Sequence, residues 1–264
     1  MSIKIVMYEM SRHKRARIVA AAMDEGLRRH GIKTIVRDKF RGVEGDIAVA
    51  YGWVHEPIFK EYGRYLYFDL GYWDRKPKGQ PKEGMHRLSI NSWCPADGMA
   101  RGMPHDRLDK SGVQMAAASR GRDILVAAMS EKAARTHGYA FKQWEDEAIA
   151  RMNAYTKRSI VYRAKPSKSV PGVPIIEALR ASSCVVAHHS NVAVEAMIEG
   201  VAVYAEKGIG RLVSMKDLRE VDYARPPDLE TRLAFLADVA YCQWTPEEMR
   251  KGEVWNHVSS MVYK

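Results

Sequence analysis

Short apolar runs alternate with amphipathic stretches along most of this chain. Ile3 to Met7 is an apolar run of strand length, and Arg15 to His30 carries a helical apolar pattern through Ile18, Ala22 and Leu27. Gly31 stops that helix before a second strand at Lys33 to Val36. Asp46 to Ala50 predicts a third strand, Ile58 to Tyr62 a short helix, and Arg64 to Leu70 a fourth strand. Strands and helices in this order predict a doubly wound parallel sheet. From Gly71 to Gly112 the pattern breaks down: Gly, Pro, Lys, Arg and Trp dominate and no periodicity lasts. A stretch of that length without elements of its own is either functional or disordered.

Regular patterning resumes with a buried strand at Asp123 to Met129, a helix at Gln143 to Tyr155 and a strand at Ser159 to Tyr162. A helix at Pro174 to Arg180 leads into Cys184 to Ala187, and Leu229 to Ala240 and Pro246 to Lys251 supply C-terminal helices. The chain therefore reads as two α/β domains, 1–118 and 119–264, with the boundary near residues 112–122, where Ala116, Ala117, Ala118 and Gly121 form a hinge. Two Rossmann-like doubly wound domains facing each other would bring the carboxyl ends of both sets of strands to a central cleft.

The segment from Cys184 to Glu206 holds the densest local signal. An apolar β-branched run ends in a sharp turn, and Ser190 and Asn191 stand where a helix begins. Free N–H groups and the positive helix end attract anions there. Glu195 lies four residues after Asn191 on the same helix face, within reach of a ribose hydroxyl. Gly200 ends the helix, and Val201 to Ala205 resume a buried strand. The competing reading is an ordinary βαβ unit with Glu195 solvated.

The net charge of +10 changes the picture more than the ordinary 46% hydrophobic and 28% charged content. It favours a polyanionic partner such as nucleic acid, an anionic surface or a phosphorylated substrate. No apolar run approaches the ~20 residues needed to span a bilayer, and MSIKIVMYEM lacks a signal-peptide layout. The expectation is a cytoplasmic protein without membrane contact. Cys94, Cys184 and Cys242 are odd in number and far apart, which argues for reduced thiols.

The blocks DILVAAMSEK, IVYRAKP, SNVAVEAMIEGVAVYAE and ADVAYCQWTPEEMRKGEVW, spanning roughly residues 122–257, resemble the nucleotide-binding half of GT-B glycosyltransferases, those of capsule polysaccharide and bacteriophage origin especially. The resemblance implies Arg163 and Lys165 as diphosphate partners, Ser190 and Asn191 as the helix-terminal phosphate site, and Glu195 as the ribose partner. His188 and His189 stand directly before Ser190, and one of them, His189 first, is a candidate contact to phosphate or base, with a packed or solvated histidine as the alternative. Relatives often carry histidine before the proline, whereas this chain reads RAKP; lysine neutralises a diphosphate but is a poor general acid near neutral pH. Cations and helix dipoles stabilise a departing diphosphate without a metal. HxH, HExxH and suitably placed DxD pairs are absent, so no metal and no cofactor beyond the nucleotide-sugar co-substrate, UDP-glucose or similar, is expected.

The base on the acceptor hydroxyl is expected from the first half. Asp69 leads because it follows the strand RYLYF; Asp97 in NSWCPADG is second and His13, after the first strand, is third. Each Asp has a turn-capping or salt-bridged alternative. In residues 72–107, Arg75, Lys76, Lys78, Lys82, Arg87 and Arg101 are interleaved with Trp73 and Trp93. Such a set suits a phosphate backbone and an unstacked base; the alternative is a solvated basic loop. Together these readings lead to transfer of a sugar to a hydroxymethylpyrimidine, such as hydroxymethylcytosine, in double-stranded DNA. Two alternatives stay open: a transferase of capsule or surface polysaccharide, and a non-catalytic DNA-binding protein on the same scaffold.

Overall fold

The computed structural model describes residues 3–9, 14–52, 56–75, 84–98, 100–119, 121–165 and 173–263. The chain divides into two units, residues 1–101 with 238–264, and residues 102–237.

The first unit opens with β1 (Lys4–Tyr8), α1 (Lys14–Arg29), β2 (Lys33–Arg37), β3 (Ile47–Tyr51), α2 (Glu56–Glu61), β4 (Tyr65–Leu70) and β5 (His86–Ile90). The second contains α3 (Asp106–Lys110), β6 (Asp123–Ala127), α4 (Glu131–Thr136), α5 (Gln143–Asn153), β7 (Ile160–Arg163), α6 (Ile175–Arg180), β8 (Ser182–Ala187), α7 (Val192–Ile198), β9 (Ala202–Ala205) and most of α8 (Leu229–Ala240). The chain then returns to the first unit with β10 (Gln243–Trp244), α9 (Pro246–Lys251) and α10 (Glu253–Val258).

The first sheet has the order β10-β5-β4-β3-β1-β2. Its β2-β1-β3-β4 part is parallel, and β5 and β10 extend it antiparallel. β3 is buried at every position, as a strand covered on both faces requires, whereas the edge strand β2 is polar and half-exposed. The second sheet, β7-β6-β8-β9, is wholly parallel and repeats the same 2-1-3-4 order. Its core gathers Ile124, Val126, Trp144, Met152, Cys184 and Val186.

Two expectations change here. The Gly71 to Gly112 stretch is not without elements, for it contains β5 and α3. Periodicity missed β5 because His86 and Ser89, polar residues, are buried along with Leu88. The final helices, read as part of 119–264, pack on the first unit: Met249, Val254, Trp255, Val258 and Val262 join Met23 and Leu27 of α1 in one core. Thr245 and Glu248 start α9 with reciprocal capping hydrogen bonds. Gly26 lets α1 and α9 touch, since a Cβ there would lie 1.9 Å from the Met249 carbonyl oxygen. All three cysteines are free and buried, and among the described residues no helix is long and apolar enough to cross a membrane.

Candidate functional site at the carboxyl edge of the second sheet

The register of the second sheet places Arg163, Ala127, Ala187 and Ala205 in one row across its four strands. Whatever follows these residues lies at the carboxyl edge. The chain leaves β6 toward β7 on one side and returns as β8 on the other, so the crevice between β6 and β8 is the topological switch point, where open α/β sheets bind ligands. Two loops border it, Ala128 to Ser130 and His188 to Ser190. The first is anchored by Glu145, a buried carboxylate on α5 that accepts the Met129 N–H at 2.6 Å, and by Ser130, whose hydroxyl accepts the Ala133 N–H at the start of α4.

Three imidazoles meet at this crevice. His137 follows α4 at its C-terminal end, and its ring centroid lies 4.7 Å from that of His188 and 4.4 Å from that of His189. One Nδ1–H of the adjacent pair donates to the other Nδ1, the two atoms being 2.7 Å apart. Tyr139 and Trp144 meet His188 edge-on, each 5.5 Å away. Its Nε2 faces Glu206 at 3.9 Å, and the Trp144 indole N–H donates to the other oxygen of that carboxylate at 2.6 Å. The Lys207 N–H donates to the His188 carbonyl, and Gly208, at φ 75°, lets the chain pass His189, where a Cβ would come within 3.0 Å of the carbonyl oxygen. Tyr139, Trp144 and Glu206 also wall an open pocket of about 310 Å³, lined further by Glu147, Arg151 and Tyr204.

His188 is fully buried. Burial, then the neighbouring His137, push its imidazole down to about 4, with Lys207 adding to the shift and Glu206 opposing it. Burial and Lys207 also lower His137. His188 and His137 are thus neutral at pH 7. Between pH 6.5 and 4 an unfolded chain binds a proton at His188 that the native protein refuses, so its stabilising contribution is complete above pH 6.5 and lost as pH falls through 4. We expect that loss to reach about 3 kcal/mol. The comparison is urea unfolding of wild type and His188→Asn from pH 7 to 4, with the wild-type curve falling more steeply; parallel curves would exclude His188 as the source.

Arg163 closes the row at the β7 end, with Nη2 donating to the Val173 carbonyl at 3.0 Å and a buried Nε that bonds nothing among the described residues. Lys165 is exposed. His189, Ser190, Asn191 and Glu195 are half-buried around the β8-to-α7 turn. The expected free N–H groups at the start of α7 are already taken. Val192 N–H donates to the Ser190 hydroxyl, Ala193 N–H to the Ser190 carbonyl and Val194 N–H to the Asn191 carbonyl. Sequence spacing did not find His137 as part of the cluster, because it lies on a separate element far from His188 in the chain.

In the first unit, Asp69 sits opposite Arg87 in the β4–β5 register. Its carboxylate accepts from Arg87 at 3.1 Å, from the Tyr67 hydroxyl at 2.9 Å and from the Leu70 N–H at 2.8 Å. Asp97 accepts from the Ser92 hydroxyl at 2.6 Å in an exposed turn, as a turn-capping aspartate does. His13, Lys76, Lys78 and Lys82 lie outside the described residues. Arg87 is largely buried: its side chain is 11% exposed, and its guanidinium lies 6.0 Å and 5.9 Å from the ring centroids of Tyr67 and the buried Tyr72. Arg101 faces Asp238 at 3.9 Å, and Arg75, Trp73 and Trp93 are half-buried.

No family model matches the sequence, and no curated protein sequence matches it. Among solved structures, Thermosulfurimonas dismutans KpsC, described as a beta Kdo 2,4 transferase, superposes with a TM-score of 0.52 at 12% identity, covering 99% of this chain and 98% of that one. The KpsC described as a beta Kdo 2,7 transferase gives 0.51 at 12% identity, covering 96% and 99%. Likeness at this identity concerns the fold. The chain has an α/β, GT-B-like fold of two Rossmann-like units, the architecture of those transferase structures.

Proposed function

We propose that this chain is a glycosyltransferase that moves a sugar from a nucleotide-activated donor to a carbohydrate acceptor of capsule or surface polysaccharide. The observation that carries the reading is the likeness to two Kdo transferases over essentially the whole of both chains. It is an analogy of fold, to which the site adds chemistry. A switch-point crevice suits a nucleotide, and Arg163 brings to the same edge a permanent cation with a buried N–H that bonds nothing among the described residues. Arg163 and Lys165 are assigned to the donor phosphates, His189, Ser190 and Asn191 to the turn that borders them, and Glu195 to the ribose. The base is assigned to Asp69, which Tyr67 and Arg87 orient.

A DNA acceptor is the second reading, favoured by the +10 charge. The burial of Arg87 counts against it, since that cation was among those the reading drew on.

The test offers a panel of nucleotide sugars, UDP-sugars and activated Kdo among them, with Kdo-terminated oligosaccharides or hydroxymethylpyrimidine DNA, and reads products by mass spectrometry. A sugar-sized gain on the oligosaccharide alone is expected; a gain on the DNA base instead would overturn the acceptor assignment. No gain on either, with salt-sensitive DNA binding, would favour a binding protein on this scaffold. In the active pairing, Asp69→Asn is expected to lower kcat by roughly 100-fold or more with donor affinity unchanged, and full activity would remove Asp69 as the base.

A further inference from the structure

We propose that His137, His188 and His189 form a binding site for a divalent transition metal of the zinc type, with three protein ligands and a fourth position open. One ring nitrogen from each lies within 4.8 Å of the others. The Nδ1 atoms of His188 and His189, 2.7 Å apart, need to part only slightly to share a metal, because two nitrogens on one tetrahedral zinc at 2.0–2.1 Å stand about 3.3 Å apart. Imidazole suits zinc, copper and nickel, while calcium and magnesium prefer oxygen ligands.

The surroundings are those of a prepared ligand set. His188 is the clearest case. Metal-binding histidines characteristically present their second nitrogen to a carboxylate, which fixes the tautomer and the ring orientation. The buried Nε2 of His188 makes no hydrogen bond among the described residues, the Glu206 carboxylate stands 3.9 Å from it, and Glu206 is itself held by the Trp144 indole N–H. Binding through Nδ1 therefore leaves the His188 proton on Nε2, toward Glu206. Whichever of the two rings carries the Nδ1–H shifts that proton to its own Nε2, so the step exchanges one tautomer and releases no proton. Tyr139 and Trp144 hold the His188 ring in place, and Lys207, whose charge opposes a dication, is the cost set against Glu206. Neutral imidazoles are the form that binds metal, and the burial that keeps His188 neutral readies it.

The experiment needs no donor or acceptor, so it stands whether or not the transferase reading holds. Protein stripped with chelator and dialysed is titrated with Zn²⁺ by calorimetry and with Co²⁺ by visible absorption. One equivalent per chain is expected, with Co²⁺ bands of tetrahedral intensity. His137→Ala and His189→Ala should each weaken binding at least tenfold, and Glu206→Gln by roughly tenfold or more. The exposed His105→Ala serves as the unchanged control, with circular dichroism establishing that every variant is folded. Absence of saturable binding by wild type, or binding that the His137 and His189 variants leave unchanged, would overturn the proposal.

Discussion

Removal of residues 245–264 is expected to unfold the first unit while the second stays folded. These residues contribute Met249, Val254, Trp255, Val258 and Val262 to the core over α1. Burying an apolar side chain of this size is worth about 1.5–3 kcal/mol, so their combined loss is on the order of 10 kcal/mol. That equals the whole stability of an ordinary domain, roughly 5–15 kcal/mol. Gly26 shows how close the contact is, since it admits no side chain against the Met249 carbonyl. Hydrogen exchange with mass spectrometry separates the units: amides of β1, β3 and β4 should lose protection and those of β6 and β8 should keep it. Retained protection in β1 to β4 would show that the first sheet needs no cover from α9 and α10.

Arg87→Met is the second large effect, an expected loss of about 3 kcal/mol from the first unit. The guanidinium is buried between Tyr67 and Tyr72 and paired with Asp69. Burial works against its charge, but Tyr72, Asp69 and Tyr67 outweigh it and hold the group above its ordinary value. Removing the cation leaves a carboxylate only one-third exposed without its partner. Adding Asp69→Leu should recover much of the loss, because a paired apolar replacement avoids the stranded charge. Arg87→Lys keeps the charge but lacks the planar guanidinium fork that reaches Asp69 and lies near both tyrosine rings. Urea unfolding followed by tryptophan fluorescence reads all three, and an Arg87→Met protein as stable as wild type would show that the pair contributes nothing.

Most of the parallel strands were legible because they are short apolar runs. β1, β3, β4, β6 and β8 fall within a residue or two of their predicted places, as does α5. What periodicity could not find was antiparallel or polar. β5 buries His86 and Ser89, and β10 is two residues long, with Gln243 buried and accepting the Tyr72 N–H. Assigning the last helices to a unit was equally beyond a local pattern, because Met249 and Trp255 read as apolar without naming what they cover. At the candidate site the β8-to-α7 turn was visible in CVVAHHSN, but its local hydrogen bonds were not. The meeting of His137 with His188 follows from β6 and β8 being neighbours, and strand order is not written in any single segment.

The second unit is one continuous stretch, and the first is split around it. During synthesis the apolar face of α1 emerges early and waits for α9 and α10, more than two hundred residues later in the numbering. At roughly 5–20 residues per second, even the part after residue 101 takes on the order of ten seconds or more. Residues 102–237 meet no such delay. The first unit therefore stays incomplete until residues 238–264 have emerged, and it is that exposed nascent sheet that a chaperone would have to guard.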